Sequence, residues 1–263
     1  MGATRVSTFD SYTVHVNNQR KPFNDRRVRR AIFLAVSRQN LFKAFEDQSP
    51  LMVARWMFPR APVSPAPNEI LQLPGYRPEK TADIAEGKKL LADAGYPSGF
   101  GPVELVSAAV PWATEVLAPA FAEELRTNLG ITSKIRQVER ALVPEEYKRG
   151  SIDMLVETTF NSTVAAPAPM WGFFLKCGGS QNWSRYCNPE FDKLVGQIDI
   201  EMDEGKRRQL FNQGMDLLDQ DAPFYLIGFN ESLPVWRNYV KGLAVDKRLH
   251  NFSVGYETAW LDK

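Results

Sequence analysis

Strand-like and helix-like segments alternate between residues 100 and 160, and this order limits the fold more than any other feature of the sequence. An amphipathic helix is predicted at 113–129. Its apolar residues recur every four positions, at Leu117, Phe121 and Leu125. Strands are predicted on either side of it, at residues 103–109, 131–138 and 152–157. Such an alternation is typical of α/β layering, in which helices cover a sheet.

The rest of the chain carries the same two kinds of element. A half-buried strand is predicted at 10–18, because Tyr12, Val14 and Val16 alternate with polar residues. One helix is then expected from a cap at Asn24 or Asp25 to about residue 46. The proline-rich residues 49–77 are expected to form a long ordered loop on the surface. Further helices are predicted at 78–94, 145–149, 189–202 and 203–220, and further strands at 223–230 and 234–245.

Composition excludes several classes of protein. The net charge is +1, so no overall field attracts the chain to nucleic acid or to an anionic membrane. No apolar run approaches the roughly 20 residues that span a bilayer, and residues 1–20 contain no signal-peptide core. Two cysteines and two histidines are too few for a Cys-rich or multi-His metal centre. His15 and His250 are interpreted as surface or edge-strand residues.

The sequence carries none of the familiar catalytic signatures. The sequence has no phosphate-binding P-loop, no G-x-S-x-G elbow, no H-E-x-x-H and no C-x-x-C. The acidic pairs Glu123-Glu124 and Glu145-Glu146 are adjacent in sequence, so on a helix they point in different directions. We therefore predict a binding protein with no catalytic residues, no cofactor and no metal.

Four short motifs, in order along nearly the whole chain, carry a resemblance to a known family. They are PFNDRRVRRA at 22–31, YRPEK at 76–80 with KLLADAGY at 89–96, YCNPEFDKL at 186–194, and EMD at 201–203 with DAP at 221–223. Together they resemble the C-terminal half of a bacterial ABC-importer solute-binding protein of the oligopeptide/dipeptide/nickel type, family 5.

The resemblance implies a periplasmic-binding-protein-like (Venus flytrap) α/β fold, in which two lobes close on a ligand. Residues 1–21 would be a strand crossing from a missing first lobe, 22–222 the second lobe, and 223–263 a return segment into lobe one. The implied protein is a periplasmic monomer that captures a peptide-like or other small solute and delivers it to an ABC permease. A sensory or regulatory domain, or a truncated lobe with a scaffold role, remains an alternative.

Family members often carry W-x-x-D-x-x-D-P after the strand that is predicted here at 152–157. Phe160 matches the Trp of this pattern, whereas Thr163 and Ala166 replace the two acids. The first acid binds the ligand's α-amino group in the peptide binders of the family, so we expect a ligand other than a simple free-amine di- or tripeptide. The expected ligand-binding residues are Phe160, Asn161, Thr163, Trp171, Asn182, Trp183, Arg185 and Tyr186. For the aromatic residues, core packing is the alternative, and Asn188 is expected to cap the helix that follows it.

Two further features have two interpretations each. The resemblance implies an oxidising periplasm, where Cys177 and Cys187 would form a disulfide; two free thiols are the alternative. Arginines at positions 26, 27, 29 and 30 form a basic run. We interpret this run as a solvated helix face with one or two ion pairs, and nucleic-acid binding as the alternative.

Overall fold

A six-stranded mixed sheet with helices on both faces forms the centre of the molecule. The computed structural model describes residues 2–3, 6–47, 50–59, 61–159, 167–232, 235–245 and 254–262. The strands are β1 (Gly2–Ala3), β2 (Val6–Val16), β3 (Leu51–Met52), β4 (Val103–Ala108), β5 (Ser133–Val138), β6 (Met154–Thr159), β7 (Phe224–Ser232), β8 (Val235–Trp236), β9 (Val240–Lys241), β10 (Ala244–Val245), β11 (Val254–Gly255) and β12 (Trp260–Leu261).

The helices match most of the predicted positions. They are α1 (Arg26–Ala35), α2 (Arg38–Phe45), α3 (Pro67–Ile70), α4 (Thr81–Asp93), α5 (Ala118–Leu129), α6 (Val143–Lys148), α7 (Pro167–Phe174), α8 (Pro189–Ile200) and α9 (Glu204–Asp221). A π-helical segment, Trp112–Leu117, precedes α5, and 3-10 turns occupy Arg140–Leu142 and Tyr256–Thr258. No helix within the described ranges is long and apolar enough to cross a membrane.

Strand order in the sheet is β3-β7-β2-β6-β4-β5. Strand β4 runs parallel to β5 and β6, whereas β2 is antiparallel to both β6 and β7. The predicted α/β layering is therefore confirmed. Strands β2 and β7 are central strands of the same sheet as β4–β6.

One face of the sheet is covered by α1, α2, α4 and α5. Val14, Leu105 and Tyr225 of the sheet pack there against Ile32 and Phe121 of the helices. The single helix expected up to residue 46 is in fact two helices.

The break follows from capping at both helix starts. Asp25 accepts a hydrogen bond from the Arg27 amide at 2.8 Å, and Ser37 accepts one from the Asn40 amide at 3.2 Å. Ser37 ends the first helix because its extended backbone and hydroxyl cap the second.

The opposite face is covered by α7, α8, α9 and the proline-rich segment. Trp56, Tyr76 and Ile70 of this segment are almost fully buried, so its expected surface position is wrong. The prolines leave room for only short elements such as β3 and α3, but the apolar residues between them still bury their side chains. Asp219 of α9 holds the segment by accepting hydrogen bonds from Trp56 Nε1 at 2.6 Å and Arg55 Nε at 2.9 Å.

Candidate functional site

Three parallel strands end at one edge of the sheet, which we call the carboxyl edge. Strands β4, β5 and β6 share a direction, so their carboxyl ends lie side by side. Ser11 is the first residue of β2 that pairs with β6, where it lies opposite Thr159. On its other side, Ser11 lies opposite Phe229, near the end of β7. In open α/β sheets, ligands bind outside the carboxyl ends of the strands.

A two-stranded ribbon leaves the sheet at the same edge. On the N-terminal side of Ser11, β2 pairs with β7 alone among the described residues. The paired residues there are Val6 with Ser232 and Ser7 with Glu231. The pairing continues as β1 with β8. Five residues of strand extend roughly 17 Å, so this ribbon projects well past the carboxyl edge.

An aromatic side chain lines the carboxyl edge after β4. Trp112 is half-buried and packs edge-on against Tyr12, with ring centroids 4.9 Å apart. The turn that presents Trp112 is fixed by Thr114, whose hydroxyl donates to the Ala108 carbonyl at 2.8 Å. A π-helical segment begins at Trp112, and such segments are frequent at functional sites.

Charged and apolar side chains follow β5 and β6 at this edge. Arg140 is exposed, and its Nη2 lies 4.0 Å from Glu157 Oε1. Glu157 keeps only 12% of its side chain exposed and accepts a hydrogen bond from the Thr158 amide at 2.8 Å. Leu142 is 54% exposed. The edge thus combines an aromatic face, an aliphatic side chain and charges of both signs.

Beside Glu157, the central strand β2 carries buried polar groups. The Thr13 hydroxyl donates to the Glu157 carbonyl at 2.9 Å and lies 3.1 Å from His15 Nε2. His15 is 1% exposed, so its predicted surface or edge-strand position is wrong. Burial lowers the pKa of His15 to about 3, and the ring is neutral at pH 7.

The sequence-predicted ligand residues are divided by the structure. Phe160, Asn161 and Thr163 lie outside the described residues. Trp171 is fully buried, and its Nε1 donates to the Trp56 carbonyl at 2.7 Å. Its ring also packs against Phe191 and Phe211. Trp171 is therefore a core residue, because no part of its ring is left for a ligand.

The other four predicted residues lie together in the loop after α7. Asn182 Nδ2 donates to the carbonyls of Lys176 and Tyr186 at 2.9 and 2.6 Å, so its side chain closes the loop. Trp183 is half-buried and packs edge-on against Tyr147, with centroids 4.8 Å apart. These contacts are internal and leave Asn182 no free polar group for a ligand.

Arg185 and Tyr186 complete this group. Arg185 Nη2 donates to the Tyr147 carbonyl at 2.8 Å. The Tyr186 hydroxyl donates to Asp221 Oδ2 at 2.6 Å, and burial together with this bond raises the pKa of Tyr186.

This group lies at the edge of the sheet opposite the carboxyl edge, because the Asn18 amide donates to the Ser184 carbonyl at 2.9 Å. The seven residue steps from Ser11 to Asn18, five of them within β2, place the two edges about 20 Å apart.

A disulfide joins the ends of the same loop. Cys177 and Cys187 are bonded, with their Cα atoms 4.4 Å apart. The Cys177 amide donates to Asp192 Oδ1 of α8 at 3.1 Å, and Asn188 caps α8 by accepting from the Glu190 amide, as predicted. Within the described ranges, no group of three His, Cys, Asp or Glu side chains is placed to hold a metal ion.

Sequence reasoning missed the residues of the carboxyl edge. Trp112, Arg140, Leu142 and Glu157 all lie at or just after the ends of predicted strands. The rule that parallel strands bring their carboxyl ends together would have found them, once the strands at 103–109, 131–138 and 152–157 were taken as parallel.

Comparison with known proteins places the chain in a family. The model of the bacterial extracellular solute-binding proteins, family 5 Middle, matches residues 3–181. The periplasmic oligopeptide-binding protein OppA of Salmonella typhimurium is 24% identical over 248 residues, covering 93% of this chain and 44% of the relative. The dipeptide-binding protein of Escherichia coli is 27% identical over 236 residues, covering 88% of this chain and 42% of the relative.

A solved structure shows the same fold. OppA of Burkholderia pseudomallei superposes with a TM-score of 0.78 at 22% identity, covering 99% of this chain and 50% of that one. The chain thus spans somewhat less than half the length of the curated relatives it matches. The expected periplasmic-binding-protein-like fold is confirmed, and the chain belongs to the bacterial extracellular solute-binding proteins of family 5.

Proposed function

We propose that the carboxyl edge is one wall of a solute-binding cleft in the extracytoplasmic component of an ABC importer. The observation that carries the proposal is that the β2–β7 ribbon leaves the sheet at the edge where β4, β5 and β6 end. Whatever the ribbon leads to would face this edge. Because the chain spans under half of its relatives' length, the rest of the whole protein would supply the second wall.

The domain organisation follows from the same ribbon. We place the crossing between lobes at β1, the start of β2 and the end of β7, and keep most of β7 in the second lobe. Residues after 235 would then return to lobe one. Large apolar side chains that remain 45–56% exposed support this: Val235, Tyr239, Trp260 and Leu261. Such surface is the kind that another part of the whole protein would cover.

The proposed ligand is a peptide-like or other small solute. Trp112 and Leu142 supply apolar surface, and Arg140 and Glu157 supply charges, which suits a ligand with a backbone and varied side chains. Residues Phe160, Asn161 and Thr163 follow β6 directly, and we keep them in the proposed wall. The names of the relatives, which bind oligopeptides and dipeptides, support the same ligand class.

In this proposal the protein is a periplasmic, monomeric and non-enzymatic carrier. The ligand is captured in the cleft, and the two lobes close on it by bending at the ribbon. A membrane permease then recognises the closed form and receives the ligand. The relatives' names as periplasmic and binding proteins support the location and the binding role.

Two half-buried tryptophans at opposite edges provide the test. Tri-alanine is titrated by calorimetry into the full-length protein and into its Trp112→Ala and Trp183→Ala variants. We expect Trp112→Ala to weaken binding about tenfold or more, since burying an aromatic face stabilises a complex by over 1 kcal/mol. Trp183→Ala should change it less than about twofold. Equal losses, or a loss with Trp183→Ala alone, would place the ligand elsewhere.

A second titration tests how the ligand's amine is recognised. N-acetyl-tri-alanine removes the ammonium group and leaves the backbone intact. Since Thr163 and Ala166 replace the two family acids, we expect the two peptides to bind within about tenfold of each other, the factor that one charged contact commonly supplies. A strong preference for the free amine would contradict this. Failure of both peptides to bind would remove the peptide-like class from the proposal.

A further inference from the structure

A polar cavity lies at the edge opposite the proposed ligand cleft. It has a volume of about 400 Å³ and is formed where the turn after β2, the start of α1, the disulfide loop and the start of α8 meet. The residues that matter here are three arginines and one carboxylate of its lining: Arg26, Arg29, Arg185 and Asp221. All of its lining residues belong to the described part of the chain.

Arg29 is buried, and no carboxylate group among the described residues accepts a hydrogen bond from its guanidinium. It is only 7% exposed, and its Nε and Nη1 donate to the carbonyls of Asp221 at 3.0 Å and Phe23 at 2.8 Å. Within the described ranges, its Nη2 has no hydrogen bond and the side chain has no ion pair within 4.0 Å. A buried guanidinium normally has an anionic partner, because removing its charge from water is costly.

A second arginine of the lining has no partner among the described residues. Arg26 also lines the cavity and makes no hydrogen bond or ion pair with the residues that the structure describes. Burial lowers the pKa of Arg29; the Asp221 and Asp25 charges act to raise it, and the Arg26 charge adds a smaller lowering. Among the described residues, the Arg185 guanidinium donates to the carbonyls of Tyr147 and Lys148 and lies over the Tyr147 ring.

One lining carboxylate opposes the three positive charges. Asp221 Oδ2 already accepts hydrogen bonds from the Tyr186 hydroxyl at 2.6 Å and from Asn188 Nδ2 at 2.7 Å. The cavity therefore keeps an excess of positive charge. Helices α1 and α8 both begin at it, but the Asp25 cap of α1 and the acidic first turn of α8 offset the positive ends of their dipoles.

We propose that this cavity binds a small free oxyanion, a phosphate or carboxylate group, between Arg26 and Arg29. A guanidinium fork matches two acceptor oxygens of such a group, whereas chloride offers no fixed geometry to it. The site is separate from the proposed solute cleft, since the two lie at opposite edges of the sheet. Binding here would join the turn after β2 to the residues that precede β7.

The test compares two arginines that are adjacent in sequence. Arg27 carries the same charge as Arg26 but pairs with Asp25 at 2.6 Å and does not line the cavity. Phosphate, succinate and chloride are titrated by calorimetry, at constant ionic strength, into the 263-residue chain and its Arg26→Gln and Arg27→Gln variants. Both substitutions are at exposed positions, so both variants should fold.

We expect saturable binding of phosphate or succinate, but not of chloride. Arg26→Gln should weaken it roughly fivefold or more, the loss of one charge-assisted contact, and Arg27→Gln less than about twofold. Phosphate alone would assign the site to tetrahedral anions, and succinate alone to carboxylates. Absence of saturable binding, an equal response to chloride, or equal weakening in both variants would overturn the proposal. None of these outcomes depends on the peptide titrations at the other edge.

Discussion

Asp219 of α9 is the acceptor at which the proline-rich segment is held to the rest of the molecule. It is 8% exposed and accepts from Arg55 Nη2 at 2.7 Å, Trp56 Nε1 at 2.6 Å and the Tyr76 hydroxyl at 3.2 Å. Burial, together with the Asp219 charge, raises the pKa of Tyr76 well above its ordinary value, so this hydroxyl stays a donor. Replacing Asp219 with Asn keeps the shape but removes the charge.

The cost follows from what is left unpaired. Breaking a buried ion pair by removing one partner costs about 3–5 kcal/mol, and we expect the lower end because Arg55 keeps Asp216 as a second partner. Asp216 is the matched control: it bonds the same arginine, but its side chain is 64% exposed. Asp216→Asn should cost less than about 1 kcal/mol.

Urea unfolding of the wild-type chain and the two variants measures both costs. We expect Asp219→Asn to lower the unfolding midpoint strongly with an unchanged m-value, and Asp216→Asn to lower it slightly. Similar losses for the two variants, or a loss below about 1 kcal/mol for Asp219→Asn, would refute the reasoning, because the network would then act as an exposed ion pair does.

Three further predictions concern the disulfide, the core and pH. Replacing Cys177 and Cys187 together by Ser should lower stability by about 3 kcal/mol, since the bond closes a loop of 10 residues; a reduced wild-type sample should show the same loss in urea. Trp171→Ala should cost about 3–5 kcal/mol in the same assay, and an unchanged midpoint would contradict its core position. His15 should make the chain less stable as pH falls from about 6.5 towards 3, by up to about 1.4 kcal/mol per pH unit, because the unfolded state takes up a proton that the folded state excludes. Unfolding at several pH values should show a steeper slope in wild type than in His15→Gln; equal slopes would contradict the pKa of about 3.

Much of the local structure could be predicted because it depends on local chemistry. Asp25 and Asn188 cap helices as expected, since a cap needs only a short side chain and the next few amides. The predicted helix at 203–220 is α9 within one residue at each end. Ser37 was missed as a helix break, because the apolar spacing continues across it and only the cap geometry reveals the change of direction.

The candidate site was harder to predict. The sequence predicts Trp171 and Trp183 as ligand-facing residues because both lie in an irregular, aromatic segment. The structure buries one in the core and leaves the other at the edge far from the β2–β7 ribbon. An irregular segment has no periodicity, so nothing in the sequence distinguishes a side chain that faces the core from one that faces a cleft.

The sequence by itself determined the alternation of strands and helices, the family, and the replacement of both family acids by Thr163 and Ala166. Only the tertiary structure decided the strand order, and with it the joining of Trp112, Arg140 and Glu157 at one edge. It also decided that Arg29 and His15 are buried. The reason is physical: periodicity records which face of an element is apolar, whereas a site depends on which elements meet, and those contacts join residues far apart in the chain.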